Sequence, residues 1–202
     1  MNTIFIVFYI TSLIVWIIVP IRHIKGTFFL FFLALIGGDI VTIIARFVFH
    51  SKTNIFYVIS GLLCLISIQD KNISKLSKIL LLSLCLISLA LELYDIEFKQ
   101  EFFKQQFSIM NLVDFLIFLK FLKIFIFKLV NEKSINFFLI CLIFYQLTAL
   151  IKILNFIGGA ANASEYFIIT TFFEIFIGLF FCIFKDDDPR IMIKLKNIYT
   201  DS

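Results

Sequence analysis

Five ionisable side chains, Asp39, Arg46, Asp114, Lys152 and Glu174, stand within long runs of Leu, Ile, Phe and Val. Each costs about 2.5 to 3.5 kcal/mol at the centre of a membrane helix unless it faces protein, water or a partner of opposite charge. Carboxylates in such a place can exchange protons, receive a cation or activate water, and a lysine or arginine beside them can instead neutralise them. Helical phase brings some of them together. Asp39, Thr42 and Arg46 follow i, i+3, i+7 and share one stripe, and Ala34, Gly38 and Thr42 have the small-xxx-small spacing that lets two helices approach closely. Two readings follow: the five charges neutralise one another and fix helix packing, with Arg46 as the partner of Asp39, or they line a pocket or an ion path. Lys120 and Lys123 belong to neither, because their long stems can reach the headgroups from the end of their segment.

The elements that hold these residues are seven apolar segments, over residues 4–21, 27–49, 54–69, 78–95, 106–127, 136–157 and 166–184. With 61% hydrophobic and 16% charged residues and a mean hydropathy of +1.06, the chain exceeds what a soluble domain keeps in water. A helix needs roughly 20 apolar residues to cross the hydrocarbon, a length most of these segments have and 54–69 only approaches. Open sheets leave backbone groups unsatisfied in lipid, and a barrel would read as short alternating strands. The expected fold is therefore all-α: a polytopic membrane bundle of about seven helices over residues 1–184, with a short tail over 185–202.

The connecting loops orient this bundle. One set, with the tail, carries eleven Lys and Arg (Arg22, Lys25, Lys71, Lys75, Lys78, Lys128, Lys133, Lys185, Arg190, Lys194, Lys196), and the other carries three (Lys52, Lys99, Lys104). Basic loops stay in the cytoplasm, so the N-terminus is expected outside and the C-terminus inside, in a cell membrane crossed several times. At a rise of about 1.5 Å per residue, Asp39 then falls near mid-membrane, and Asp114 and Glu174 lie roughly 10 to 12 Å below the outer face. The first segment does not read as a secretory signal, since Met1-Asn2-Thr3 has no basic residue and Arg22, His23 and Lys25 come after the apolar run.

Other residues are quieter. Cys64, Cys85, Cys141 and Cys182 lie singly within apolar segments without a CxxC pair, and His23 and His50 sit at segment ends, so neither a metal nor any other cofactor is expected. Three consecutive carboxylates, Asp186-Asp187-Asp188, cannot converge on one ion, and Pro189 stops the helix behind them. The alternation of Ile, Met and Leu with Lys from Arg190 to Tyr199 suits an amphipathic segment on the inner surface. Asn162-Ala163-Ser164 matches a glycosylation acceptor by pattern alone. A net charge of +4 is accounted for by cytoplasmic loop lysines, which leaves the bilayer, other membrane subunits or a lipid ligand as partners and no nucleic acid.

One stretch has a family likeness. Residues 29–66, with Leu35-Ile36-Gly37-Gly38-Asp39 in one helix and Phe56-Tyr57-Val58-Ile59-Ser60-Gly61-Leu62 in the next, resemble the YhhN-like lysoplasmalogenases, polytopic membrane proteins with a Gly-Asp in a helix. The resemblance implies hydrolysis of the vinyl-ether bond of lysoplasmalogens by paired membrane aspartates that activate water, with Asp39 as one of them. The family's histidine in the following helix has no counterpart near Ser67, and its later Ser-Asp motif would fall near Gln146-Leu147. Asp114 or Glu174 would then have to supply the second carboxylate. Three function classes follow: a non-enzymatic sensing module or accessory subunit of a membrane complex, which is the reading favoured here; a divergent lysoplasmalogenase-like hydrolase; and a transporter of a small solute or protons. The last is weakened by the lack of a repeat between the two halves. A retinal protein is excluded, since the last segment holds Glu174 and no lysine.

Overall fold

The computed structural model describes residues 3–48, 55–68, 79, 83, 84, 86, 87, 90, 103–158 and 163–195. Among them the chain forms six α-helices: α1 (Thr3–Arg22), α2 (Phe29–Val48), α3 (Ile55–Ser67), α4 (Phe103–Asn131), α5 (Phe137–Gly158) and α6 (Ala163–Ile183). Each coincides with one of the apolar runs, which is the result expected when an uninterrupted run of Leu, Ile and Phe must satisfy its own backbone hydrogen bonds. The run over 78–95 falls mostly outside the described residues; Ile79, Ser83, Leu84, Leu86, Ile87 and Ala90 within it are helical. The protein is thus overwhelmingly helical.

Two helical stretches, Phe137–Asn155 and Glu165–Ile183, are long and apolar enough to cross a membrane, and only 33% and 28% of their apolar windows are buried inside the bundle. A core helix of a soluble protein would be mostly covered. Here the outward faces carry exposed Ile14, Ile18, Leu33, Phe144, Phe172 and Phe176 instead.

The helices pack α1 on α2, α2 on α3, α3 on α4, α4 on α5, α5 on α6, and α6 back on α1, so the described helices close into a ring. Small residues set the tightest contacts. Gly38 lies so close to Ser60 of α3 that a methyl group there would collide with it, and the Ser60 hydroxyl donates to the Ala34 carbonyl at 2.7 Å. The same stripe continues to Thr42, whose hydroxyl donates to the Gly38 carbonyl at 2.8 Å. Gly178 does for α6 what Gly38 does for α2, since a Cβ there would come within 2.6 Å of Val15 on α1.

Inside one end of the ring stands an aromatic plug. Phe32, Phe138 and Phe181 are fully buried, with Phe138 and Phe181 4.7 Å apart between ring centroids and Phe32 and Phe181 5.2 Å apart. Phe28, Phe31 and Phe121 extend the plug laterally, and Trp16 leads from Phe32 and Phe181 up to Tyr145, 4.6 Å away.

Below the plug, the end of the bundle is fastened by a clasp that the sequence does not announce. Ser134–Asn136 (β1) pairs antiparallel with Met192–Lys194 (β2), with Ile135 opposite Ile193. The alternation from Arg190 to Tyr199 therefore serves a strand over 192–194, because period two is the period of a strand; residues 196–199 lie outside the described residues. Asn136 caps α5 by accepting from the Phe138 N–H at 2.8 Å and donates to the Asp186 carbonyl at 3.1 Å. The Asp186 carboxylate accepts from the Thr27 N–H at 3.2 Å, and Asp188 caps the short 3-10 turn Pro189–Ile191 and pairs with Arg190. Two carboxylates of the run, Asp186 and Asp188, thus act as backbone anchors.

His23, 1% exposed, completes the clasp by hydrogen bonding through Nε2 to the Phe181 carbonyl at 2.9 Å. A carbonyl can only accept, so Nε2 carries the proton, and Nδ1 is buried without a partner among the described residues. Burial lowers the pKa of His23 from its usual value; the Phe181 carbonyl and Asp186 oppose the shift, and Lys185 and Arg22 add to it. The unfolded chain then binds the proton more readily than the folded one, so stability is full above about pH 6.5 and is lost as pH falls through the lower folded-state value. In detergent, the melting temperature should drop between pH 7 and pH 5 more steeply for the wild type than for His23→Gln, which keeps an N–H for Phe181. Parallel curves would show that His23 does not titrate in this range.

Candidate functional site

Above the plug, the inward faces of α2, α4, α5 and α6 carry polar side chains. On α5, Phe138, Leu142, Tyr145 and Lys152 succeed one another at helical spacing, and on α6 Thr171, Glu174, Gly178 and Phe181 do the same. Both stripes begin or end in the plug and become polar away from it. Where they meet, Lys152 Nζ donates to both Glu174 oxygens at 3.0 Å, and the ammonium lies 4.5 Å from the centre of the Phe167 ring. The side chains are 22% and 13% exposed, so the pair is shielded without being sealed.

Asp114 forms a second centre. It follows Val113 on α4, one turn before Ile117, and is 8% exposed. Gln146 of α5 donates from Nε2 to Asp114 Oδ1 at 2.9 Å, while Oδ2 has no hydrogen-bond partner among the described residues. Asn111, three residues earlier and on the same face, also has a buried Oδ1 without a donor.

Asp39 is the acidic residue of α2. It is half-buried at the middle of α2 and takes no hydrogen bond or ion pair among the described residues. Lys152 and Glu174 are near enough to act on it electrostatically. These polar groups on the inward faces make up the polar layer of the bundle, and Tyr145 links it to the plug through Trp16. Thr171, 1% exposed and one turn from Glu174, has a hydroxyl without a partner, in contrast to Thr170, whose hydroxyl is taken up by the Tyr166 and Phe167 carbonyls.

Of the five charged residues singled out from sequence, the structure brings Lys152 to Glu174, gives Asp114 an uncharged partner in Gln146, and gives Asp39 no hydrogen bond or ion pair to the others among the described residues. The backbone of Arg46 belongs to α2, and its side chain lies outside the described residues, as does the proposed pairing with Asp39. Sequence reasoning passed over Gln146, Tyr145, Asn111 and Thr171, since an uncharged polar residue on an apolar helix gives no signal of its own. Tyr145 could have been found from its phase, seven residues before Lys152. Among the described residues no three His, Cys, Asp or Glu side chains converge as metal ligands. Among the described residues the histidine is His23, at the clasp below the plug. The layer thus offers buried oxygen acceptors, Asp114 Oδ2 and Asn111 Oδ1, that a donor could satisfy.

Removing one member of the Lys152–Glu174 pair leaves a charge in apolar surroundings. A fully buried pair costs about 3 to 5 kcal/mol to break, and an exposed one under about 1. The partial exposure here sets an expectation of about 1 to 3 kcal/mol for Lys152→Met or Glu174→Gln. The double variant should recover part of that loss in a thermal unfolding cycle. Strictly additive losses would mean that the two side chains do not stabilise each other.

No protein-family model, no curated protein and no solved structure matches this chain.

Proposed function

We propose that this chain is a polytopic protein of the cell membrane, with about seven spans, its N-terminus outside and its C-terminus in the cytoplasm, acting as a non-enzymatic sensing module or accessory subunit whose polar layer receives a ligand. The observation that carries the reading is Asp114: a carboxylate nine-tenths buried in mid-bundle, with one oxygen held by Gln146 and the other without a donor. Leaving a buried acceptor unsatisfied costs about 1 to 3 kcal/mol, more for a charged group, which a purely structural residue would not retain. The membrane setting is supported by the exposed apolar faces of the helices and by the distribution of basic loops. A transport path gains no such support, because the aromatic plug interrupts polar continuity through the described part of the bundle.

A second reading has one specific observation in its favour. The position where a lysoplasmalogenase-like chain would bring its second carboxylate is occupied by Gln146, and Asp114 reaches it from the neighbouring helix. Asp39 and Asp114 would then form the pair that activates water.

Two experiments test these readings. For topology, cysteines introduced singly at positions 52 and 162 should react with an impermeant thiol reagent in intact cells, and those at 75 and 131 should not, once native thiols are controlled for. The reverse pattern would invert the orientation. For activity, the purified wild type should not turn over a vinyl-ether lysolipid, and mild-detergent purification should bring down a stoichiometric membrane partner. Turnover by a lone monomer, lost in Asp39→Asn at unchanged melting temperature, would replace the sensing reading with the hydrolase.

A further inference from the structure

We infer that the clasp end of the bundle is a docking surface for the phosphate groups of anionic lipids in the inner leaflet. The inference rests on the membrane reading and adds the class of lipid. Three parts of the chain that are distant in sequence meet at this end: the turn between α1 and α2, the loop between α4 and α5, and the tail after α6. Hydrogen bonds tie them together. The Thr27 N–H donates to Asp186 Oδ2 at 3.2 Å, Asn136 Nδ2 donates to the Asp186 carbonyl at 3.1 Å, and the Leu195 N–H donates to the Lys133 carbonyl at 2.7 Å, next to the paired Ser134 and Lys194 of the two strands. Each part brings exposed cations to the joint: Arg22 and Lys25 from the turn, Lys133 from the loop, and Lys185 and Lys194 from the tail. Folding thus gathers on one rim charges that lie far apart along the chain.

The carboxylates of the same rim do not cancel these charges. Glu132, Asp186, Asp187 and Asp188 are four against six cations, Arg190 included. Two of the four are engaged, Asp186 by the Thr27 N–H and Asp188 by Arg190 at 2.6 Å. Arg22, Lys25, Lys185 and Lys194 take part in no ion pair among the described residues. Apolar side chains then select the kind of partner. Ile21, Ile24 and Ile193, 67%, 63% and 50% exposed, each directly precede one of the exposed cations, Arg22, Lys25 and Lys194. A soluble anion would pair with the cations and leave the three isoleucines in water. The headgroup boundary of a bilayer takes both, the aliphatic side chain against the acyl chains and the cation among the phosphates. The rim also stands at the depth this requires, because α1, α4 and α6 end here, at Arg22, Asn131 and Ile183, and the exposed apolar faces of the bundle end with them.

The full-length protein, purified in a neutral maltoside detergent, is melted in the presence of dioctanoyl phosphatidylglycerol or dioctanoyl phosphatidylcholine, which share their acyl chains and differ in net charge. Phosphatidylglycerol should raise the melting temperature saturably, with a midpoint at least about fivefold below that of phosphatidylcholine and a preference that shrinks as salt rises from about 50 to about 500 mM. Combining Lys25→Gln, Lys185→Gln and Lys194→Gln should remove most of the preference, whereas combining Lys52→Gln, Lys99→Gln and Lys104→Gln in the other set of loops should keep it. The single changes Lys25→Gln and Lys194→Gln, each expected to reduce the preference about twofold, decide the matter if the triple variant fails to fold. Equal midpoints for the two lipids, or a preference that survives the changes at 25, 185 and 194, would overturn the docking surface. An equal rise with inorganic phosphate or with poly-glutamate would assign the rim to a soluble anion or an acidic protein and overturn the lipid. A protein that stays monodisperse without detergent would instead overturn the membrane reading.

Discussion

Ionisable and hydrogen-bonding side chains packed between apolar helices impose the constraint on which the rest of this structure depends, because each must find a partner where water does not compete. The helices meet it unevenly. Lys152 and Glu174 satisfy each other with two hydrogen bonds of 3.0 Å, and the Phe167 ring covers the ammonium. Asp114 is satisfied on one oxygen by Gln146 and not on the other. Asp39 takes no described partner at all. A bundle optimised for stability alone would place leucine at such positions. Among the described residues the unsatisfied buried side-chain atoms fall on Asn111 and Asp114 of α4, on Thr171 of α6 and on His23 at the clasp.

The rigid frame around that layer is made by glycines and rings. Gly38 against Ser60 and Gly178 against Val15 bring the backbones of neighbouring helices close, which is how helices associate where lipid is as apolar as the side chains. Phe32, Phe138 and Phe181 then fill the axis below the layer. The clasp adds polar fastening at the same end: Asn136, Asp186 and His23 link the α1–α2 turn, β1 and the end of α6 through backbone groups. One end of the ring is thus closed twice, by packing and by hydrogen bonds. A layer reached from only one end suits binding or hydrolysis better than passage of a solute.

Sensing and hydrolysis differ in what they ask of Asp39 and Asp114. A binding site needs them as fixed acceptors, which their separation on α2 and α4 provides. A hydrolase needs them to share a reacting water and to exchange protons with it, together with a way to stabilise the leaving group. The described residues around them, Cys64, Tyr145 and Gln146, include one phenol that could serve as a proton donor and no histidine. The absence of a family match leaves this local chemistry as the ground for choosing between the two.

The sequence by itself determined the helices. Long apolar runs that must satisfy their own backbone have one solution in or near lipid, and α1, α2, α3, α5 and α6 therefore begin and end within about three residues of the runs over 4–21, 27–49, 54–69, 136–157 and 166–184. It also singled out Asp39, Asp114, Lys152 and Glu174, since charge in an apolar run is conspicuous. Only the tertiary structure decided their partners. Lys152 met Glu174 because α5 packs beside α6, and Asp114 met Gln146 because α4 packs beside α5, neighbour relations that helical phase within one segment cannot specify. The clasp was equally hidden: a three-residue strand has too little pattern to be read, and β1 and β2 exist because the tail returns to a loop far earlier in the chain, with Ile193 opposite Ile135. Uncharged Gln146, Thr171 and Asn111 became part of the site for the same reason, as their importance lies in what faces them and not in what they are.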